Sequence, residues 1–244
     1  ATYGGNTDNE FTKQYGKQDG KYYVPQRAKA GLDPWATPQS YNNAKDFFDV
    51  GTTLNNSLNI TQGFEKGSYS FSLGSTNANG IVPSTGLDRY TAKLSGEARL
   101  SEKWTTGFSG NFISSRVTKQ TGANNGLMAT VLPAPASYDL AGIPSSVFKN
   151  PYAQNTYRST GGFDAAYWAV ENKVFTEDNQ RFFGNGYVQY ATKLTDKQKL
   201  TFKYQLGADS YTTNYSDIWG YGHANGKGSA ENYHYSITEI NSLA

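Results

Sequence analysis

The residues of this chain that could do acid–base or metal chemistry are few and scattered. Its 244 residues include two histidines, His223 and His234, and no cysteine. A zinc protease of the H-E-x-x-H type and a hydrolase with a nucleophile elbow each need a local pattern, and neither pattern occurs. We therefore expect both histidines to be exposed loop residues. The sequence predicts no catalytic residue, no metal site and no cofactor.

Two further patterns resemble ligand-binding sites, namely pairs of carboxylates and a glycine-rich string. The carboxylate pairs Asp46 with Asp49 and Glu177 with Asp178 are interpreted as solvated loop charges or turn formers. No stretch has EF-hand spacing, so calcium binding by the long loops stays open rather than predicted. Residues 220–226 (GYGHANG) are glycine-rich, but the spacing differs from G-x-G-x-x-G and no strand–helix–strand unit surrounds it.

Aromatic side chains are the main means of binding that the chain offers. It has 19 Tyr, 13 Phe and 4 Trp, and rings exposed on loops can stack on the faces of sugars or peptides. Packing of these rings within their own loops, or against a partner protein, is the alternative interpretation. Six rings on predicted loops are the candidate ligand or partner contacts: Trp35, Tyr152, Tyr157, Trp168, Trp219 and Tyr221.

The elements that must position these rings are strands with one apolar side. From Arg89 to Leu100 the even positions are apolar or small, whereas four odd positions carry charge. After a polar break at residues 101–103 the alternation resumes as far as Phe112. Side chains of a strand alternate between its faces. Each arm therefore has one apolar face, and each is about as long as the ~9–11 residues that cross a bilayer.

The connections between such strands alternate in length. Short turns follow the first, third and fifth predicted strands, and long loops fill the remaining connections. The predicted strands are 53–62, 68–75, 89–100, 104–115, 181–194 and 199–212. The chain is thereby divided into an extracellular loop region (1–52), four strands (53–115), a long, packed and ordered extracellular loop (116–180), two strands (181–212) and an extracellular loop (213–244).

This alternation places every short turn at one end of an up-and-down sheet and every long loop at the other, as in outer-membrane barrels. We predict an all-β fold, an antiparallel up-and-down transmembrane β-barrel segment of about six strands with short periplasmic turns. Membrane lipid would contact the apolar faces. The charged residues expected to face the lumen are Lys93, Glu97, Arg99, Lys203 and Asp209.

Composition excludes some other classes of protein and leaves two alternatives open. The net charge is +2 without a basic run, so nothing indicates a nucleic-acid partner. The sequence has no apolar stretch of about 18 residues, which excludes a helical membrane span. A soluble all-β binding or adhesion module remains an alternative, in which the apolar faces would form a protein core. A passive porin is a further alternative.

Several phrases occur in a fixed order from residue 45 to the end: KDFFDVGTTLNNSLNITQG, GSYSFSLGSTNANGIVPSTGLDRYTAKLSGEARLSEKWTTGFSGNF, GANNGLMATVLPAPASYDLAGIP, NPYAQNTYRS, YWAVENK and KYQLGADSYTTNYSDIWGYGH. Together they resemble the early barrel region of SusC-like (SusC/RagA family) TonB-dependent transporters. The resemblance implies a very large barrel in the bacterial outer membrane, with a plug domain inside and a SusD-like surface lipoprotein as its lid.

Such transporters import oligosaccharides or peptides, using energy that TonB relays through the plug. Six strands cannot close so large a barrel, so two edges would stay unpaired. We therefore expect the 244 residues to be a segment of a longer polypeptide, without the plug and the TonB-contacting region. In such transporters the loops, plug and lid recognise the substrate together.

Overall fold

The computed structural model describes residues 18, 20–120, 122, 126–158, 162–224 and 231–243. The strands are β1 (Tyr22–Tyr23), β2 (Trp35–Ala36), β3 (Thr52–Phe64), β4 (Gly67–Asn79), β5 (Gly86–Arg99), β6 (Trp104–Lys119), β7 (Ser146–Val147), β8 (Asn150–Gln154), β9 (Lys173–Thr195), β10 (Gln198–Trp219) and β11 (Glu231–Leu243). The helices are α1 (Pro25–Lys29), α2 (Asn43–Phe47), α3 (Met128–Val131) and α4 (Ala166–Asn172).

Seven strands form one antiparallel sheet in the order β11-β10-β9-β6-β5-β4-β3. Strands β6 and β9 pair directly although residues 120–172 separate them in sequence. The fold is therefore all-β and up-and-down, as predicted. Within the described part of the chain the sheet is open, with β3 and β11 at its edges.

The two ends of the sheet differ in their connections. Residues 65–66, 100–103 and 196–197 form brief turns at one end. Residues 80–85, 120–172 and 220–230 connect strands at the opposite end. The predicted separation of short turns from long loops is thus confirmed.

The largest departures from the predicted strands lie at the long-loop end. Strand β9 begins at Lys173 rather than at 181, and β10 continues to Trp219 rather than ending at 212. Strand β11 lies in the region 213–244, for which the sequence predicted only a loop. The sheet therefore has seven strands rather than about six.

Cross-strand polar pairs explain why β9 begins so early. Asp178 accepts two hydrogen bonds from Arg116 on β6, at 2.6 and 3.0 Å. The Lys119 ammonium donates to Glu177 at 3.0 Å. These pairs replace the apolar alternation that the prediction required, because opposite charges facing each other across strands stabilise a sheet. Glu177 and Asp178 are thus strand residues in ion pairs, and their interpretation as loop charges was wrong.

The long-loop end carries a folded cap, which we define as residues 20–51, 126–158, 162–172 and 220–224. Its core consists of Val24, Phe47, Leu127, Val131, Tyr138, Leu140, Ile143, Ala166, Ala169 and Val170, all buried. The cap includes all four helices and the small pairs β1–β2 and β7–β8. Eight of these ten core residues come from the described part of the connection between β6 and β9, so that part is packed, as expected for the predicted loop 116–180. Residues 1–17 of the predicted first loop region lie outside the described residues.

Two buried asparagines fasten the N-terminal part of the cap to its later part. Asn43 Nδ2 donates to the Pro135 carbonyl at 3.0 Å, and its Oδ1 accepts from the Leu140 amide at 3.1 Å. Asn155 Nδ2 donates to the carbonyls of Gln26 and Pro144 at 2.8 and 2.9 Å. Segments about a hundred residues apart in sequence are thus held in one body. Among the described residues, no helix combines the length and the apolarity needed to cross a membrane.

Candidate functional site

The charged residues expected to face a lumen all lie on one face of the sheet, which we call the polar face. Lys93 pairs in register with Asn111, and Glu97 with Gly107. On the far side of β9, Lys203 and Asp209 occupy the same alternate phase of β10. Arg99 ends β5 in that phase as well. The register therefore agrees with the shared side that sequence alternation predicted for these five residues.

A chain of contacts crosses the polar face perpendicular to the strands. Tyr187 Oη on β9 donates to the Glu97 carboxylate on β5, passing over β6. It can do so because residue 107 on β6 is glycine, and a Cβ there would lie 2.6 Å from Tyr187 Cε1. The Lys203 ammonium lies 4.1 Å from the centre of the Tyr187 ring. Four strands are thus connected by one tyrosine side chain and its neighbours.

A second group of contacts on the polar face lies beside a groove of about 850 Å³. Arg181 Nε donates to Asp209 at 2.8 Å, and a second guanidinium nitrogen of Arg181 contacts the other carboxylate oxygen. Asn179 Nδ2 donates to Thr213 Oγ1 at 2.7 Å. The groove is lined by Lys93, Ser109, Asn111, Phe183, Gly184, Asn185, Gln205, Gly207, Ala208, Asp209 and Asn241. Its amides and balanced charges suit hydrated, polar solutes.

The opposite face, which we call the apolar face, exposes large hydrophobic side chains across the sheet. One row of residues aligned by register is Leu58, Leu73, Ala92, Phe112, Phe182, Ser210 and Ile240. Leu94, Phe108, Phe202 and Leu206 are 46, 51, 62 and 50% exposed. The hydrophobic side chains of this face therefore do not converge on a protein core.

The residue types on the apolar face change near both ends of the sheet. At the short-turn end Trp104 packs against Tyr190, with 5.0 Å between ring centres. Towards the cap, the Arg116–Asp178 ion pair and the hydrogen bond from Asn77 to Asp88 at 2.7 Å lie on the same face. The hydrophobic band is thus bounded by aromatic rings on one side and by charged and amide groups on the other.

A buried ion pair joins the cap to the sheet. The Lys173 ammonium contacts the Asp164 carboxylate, and the two side chains are 2 and 5% exposed. Asp164 Oδ1 also accepts from the Ala224 amide at 2.7 Å. The Lys173 ammonium lies 4.1 Å from the Trp219 ring centre. Sequence reasoning missed this pair, since no local pattern distinguishes a buried lysine at a strand start from a solvated one.

The six candidate aromatic contacts differ in how far they are buried. Trp35 and Trp168 are 5 and 1% exposed, so their rings pack inside the cap and present no free face in this structure. Tyr157 is half-buried, and its hydroxyl donates to the Thr130 carbonyl at 2.5 Å. Trp219 is half-buried beside Phe175, with 5.1 Å between ring centres.

The remaining two candidates, Tyr152 and Tyr221, lie together on the cap surface. They are 58 and 51% exposed, and their rings meet edge to face with centres 5.2 Å apart. The two residues come from β8 and from the connection after β10. They form the exposed aromatic pair among the six candidates.

The two histidines lie in different surroundings. His223 is 3% exposed against the Trp219 ring, so the expectation of an exposed residue was wrong for it. His234 is exposed, but it lies on β11 rather than in a loop. Within the described ranges, no three His, Asp or Glu residues are grouped to hold a metal ion. Residues 225 and 226 of the glycine-rich string lie outside the described residues.

Burial shifts the titration of three tyrosines in the cap. It raises the pKa of Tyr157 above the usual value of 10.0. Burial, followed by the charge of Asp46, raises the pKa of Tyr167 as well. The pKa of Tyr22 rises through burial and through the neighbouring Tyr41. The folded cap therefore favours the neutral phenol at these positions.

No family model and no curated protein matches the sequence. Among solved structures, the chain is similar to a chain in the structure of the RagAB peptide importer in the "open-open" state. The TM-score is 0.64 at 18% sequence identity. The similarity covers 84% of this chain but 23% of that one. The chain thus shares the fold of part of a chain in that structure.

Proposed function

We propose that this chain is a segment of a SusC-type TonB-dependent transporter in the bacterial outer membrane. The transporter imports oligosaccharides or peptides together with a SusD-like surface lipoprotein. The observation that carries the proposal is the exposed hydrophobic band on one face of a sheet whose other face is polar. The fold shared with a chain of a peptide importer supports the same assignment.

Exposure of the hydrophobic band argues against the soluble module. Burying a Phe or Leu side chain stabilises a protein by roughly 1.5–3 kcal/mol, and a soluble protein seldom leaves a whole strand face uncovered. Here Leu94 and Phe108, on paired strands, are both about half exposed. In a membrane, lipid tails would cover these side chains and so remove them from water.

The height of the band fits a bilayer. Tyr90 lies in the apolar phase of β5, and Leu100, ten residues further along the chain, directly follows the last residue of that strand. Ten residue steps of a strand span about 33 Å, which a tilt of about 40° reduces to a height of about 25 Å. The outward apolar band of outer-membrane barrels is about 25 Å tall.

The open edges support a longer parent chain. Among the described residues, strands β3 and β11 have no pairing partner on their outer sides, and backbone groups cannot stay unpaired in lipid. Further strands of the parent chain would pair with them and close the barrel. The polar face would then line the lumen, with Lys93, Glu97, Arg99, Lys203 and Asp209 exposed to it. TonB would act through a plug region elsewhere in the parent chain.

The test uses the full-length protein in its native bacterium. We expect it in the outer-membrane fraction, folded as a heat-modifiable barrel and co-purifying with a SusD-like lipoprotein identified by mass spectrometry. Uptake of oligosaccharides or peptides that depends on the protein should stop when TonB is deleted. Recovery of the protein in the aqueous fraction would contradict the proposal, and uptake independent of TonB would indicate a passive porin.

A further inference from the structure

The exposed tyrosine pair of the cap has the features of a binding site. Tyr152 and Tyr221 present more than half of their surface to solvent, although large aromatic side chains usually pack inward. Their rings meet edge to face, and both residues line the same groove. We propose that this pair, with the groove beside it, binds a neutral carbohydrate ring. The inference rests on the proposed transport function and names the substrate class for it.

The backbone beside Tyr221 lies in close contact with the backbone of Tyr152. Gly222 has φ of +96°, a conformation that favours glycine, and a Cβ there would collide with the Tyr152 carbonyl oxygen. The connection that carries Tyr221 therefore lies directly against the strand that carries Tyr152. A side chain at position 222 would push the two rings apart.

Hydrogen bonds hold both sides of the pair. Gln154 Nε2 donates to the Gly222 carbonyl at 2.9 Å, and the same nitrogen contacts Asp164. Trp168 Nε1 donates to the Pro151 carbonyl at 2.9 Å, next to Tyr152. These contacts come from buried or half-buried side chains of the cap. The two rings are therefore positioned before a ligand arrives, which lowers the entropic cost of binding.

The groove beside the pair, about 640 Å³ in volume, has the size of a small-ligand site. Its described lining is Asn150, Tyr152, Ala153, Gln154, Tyr221, Gly222, His223 and Ala224. That described lining contains no Asp, Glu, Lys or Arg, and the nearby Asp164 carboxylate is buried against Lys173. Arg158 lines the adjoining groove, where its guanidinium lies 3.7 Å from the centre of the Phe163 ring and donates to the Ala129 carbonyl.

A pyranose ring matches this lining. Its C–H faces are apolar enough to stack on a tyrosine, and its hydroxyls both donate to and accept from amide groups. A peptide would bring charged termini or side chains, and this groove offers no carboxylate or ammonium partner among its described residues. The chemistry of the groove therefore favours a neutral sugar over a peptide.

The experiment uses the full-length protein in lipid nanodiscs and the variants Y152A, Y221A and Y152F. The probes are an array of neutral oligosaccharides (α-glucans, β-glucans, mannans and fructans) and a library of uncharged and charged hexapeptides. Leu132→Ser, at another exposed position of the cap, is the control for surface changes. Intact folding is checked by heat-modifiability for every variant.

We expect at least one oligosaccharide to bind, and each alanine variant to raise its dissociation constant roughly tenfold. Y152F should bind like the wild type because the ring stays, and so should Leu132→Ser. Absence of binding to every oligosaccharide would overturn the inference. So would peptide binding that the alanine variants weaken, or loss of lipoprotein association in these variants with sugar binding unchanged.

Failure of this inference is distinguishable from failure of the proposed function. Outer-membrane location and TonB-dependent uptake are measured on the same variants in cells. If both persist while no neutral sugar binds at the tyrosine pair, the transport function stands and the sugar site does not. If the protein is absent from the outer membrane, the transport function itself is wrong.

Discussion

Tyr187 on β9 donates its hydroxyl hydrogen to Glu97 on β5, two strands away, by lying across Gly107 of β6. The contact depends on a missing side chain, because a Cβ at position 107 would occupy the space of the ring. It also fixes how three strands align on the polar face. A hydroxyl-to-carboxylate hydrogen bond is among the stronger ones in proteins.

The first prediction follows from this contact. Gly107→Ala should displace the Tyr187 ring, since the new Cβ would lie 2.6 Å from Tyr187 Cε1. The ring can swing away, so we expect the folded full-length barrel to lose about 1 kcal/mol of stability through the lost hydrogen bond to Glu97, measured by urea unfolding in lipid vesicles. Gly186→Ala is the matched control, because the nearest atom to its Cβ would be the Gly107 carbonyl at 3.8 Å. Equal stability of the two variants would disprove the account of this contact.

The buried ion pair gives a second prediction. Lys173→Met should leave the Asp164 carboxylate buried without its cation, at a cost of about 3–5 kcal/mol. The cap should then become sensitive to protease at lower urea concentration. The double variant K173M/D164N should recover part of the loss, because it buries no charge. If the double variant were as unstable as the sum of its single variants, the two groups would not be coupled.

Alkaline pH gives a third prediction. Because burial raises the pKa of Tyr157 above 10.0, its stabilising contribution is complete below about pH 10 and is lost as the pH rises through the folded-state pKa. Limited proteolysis should therefore cut the cap faster as the pH rises above about 10.

Tyr157→Phe isolates this effect. It should weaken the cap by about 1 kcal/mol at neutral pH, because the hydrogen bond to Thr130 is lost. It should also reduce the alkaline sensitivity, though not abolish it, since the pKa values of Tyr22 and Tyr167 are raised too. A cap whose protease sensitivity does not change through this pH range would contradict the prediction.

The hydrophobic band gives a fourth prediction. Leu94→Arg should destabilise the membrane-inserted barrel by about 2–4 kcal/mol, the cost of a cation at the middle of the lipid face. Ser95→Arg, one residue further along β5 and on the polar face, should be tolerated. Folding yield into lipid vesicles reports both. A larger loss of folding yield for Ser95→Arg than for Leu94→Arg would contradict the assignment of the apolar face to lipid.

Alternation of apolar and polar residues, together with the short turns, was enough to predict most of the sheet. Strands β3 to β6 lie within four residues of their predicted bounds, because over most of their length apolar or small residues alternate with polar ones. The early part of β9 and all of β11 were missed. In the early part of β9 the contacts are between side chains of different strands, such as Arg116 with Asp178, and a single segment of sequence does not reveal its partner. Strand β11 does alternate, with Tyr233, Tyr235 and Ile237 between polar residues, so that pattern could have predicted it.

The cap was predictable only as an ordered loop. Its contacts join residues such as Asn43 and Leu140, which no local pattern relates. For the same reason the sequence could not separate the buried Trp35 and Trp168 from the exposed Tyr152 and Tyr221. Burial of an aromatic ring depends on which distant segment packs over it, whereas strand alternation depends on neighbours two residues apart.

The most direct test of the central claim compares two adjacent residues. Residues 1–244 contain no cysteine, so single cysteines at Lys93 and Leu94 can carry nitroxide labels in the full-length protein, with any cysteines elsewhere replaced. In membranes, the label at 94 should be relaxed by oxygen dissolved in lipid, and the label at 93 by a water-soluble nickel complex. Access of the nickel complex to position 94, with oxygen favouring position 93 or neither, would contradict the account.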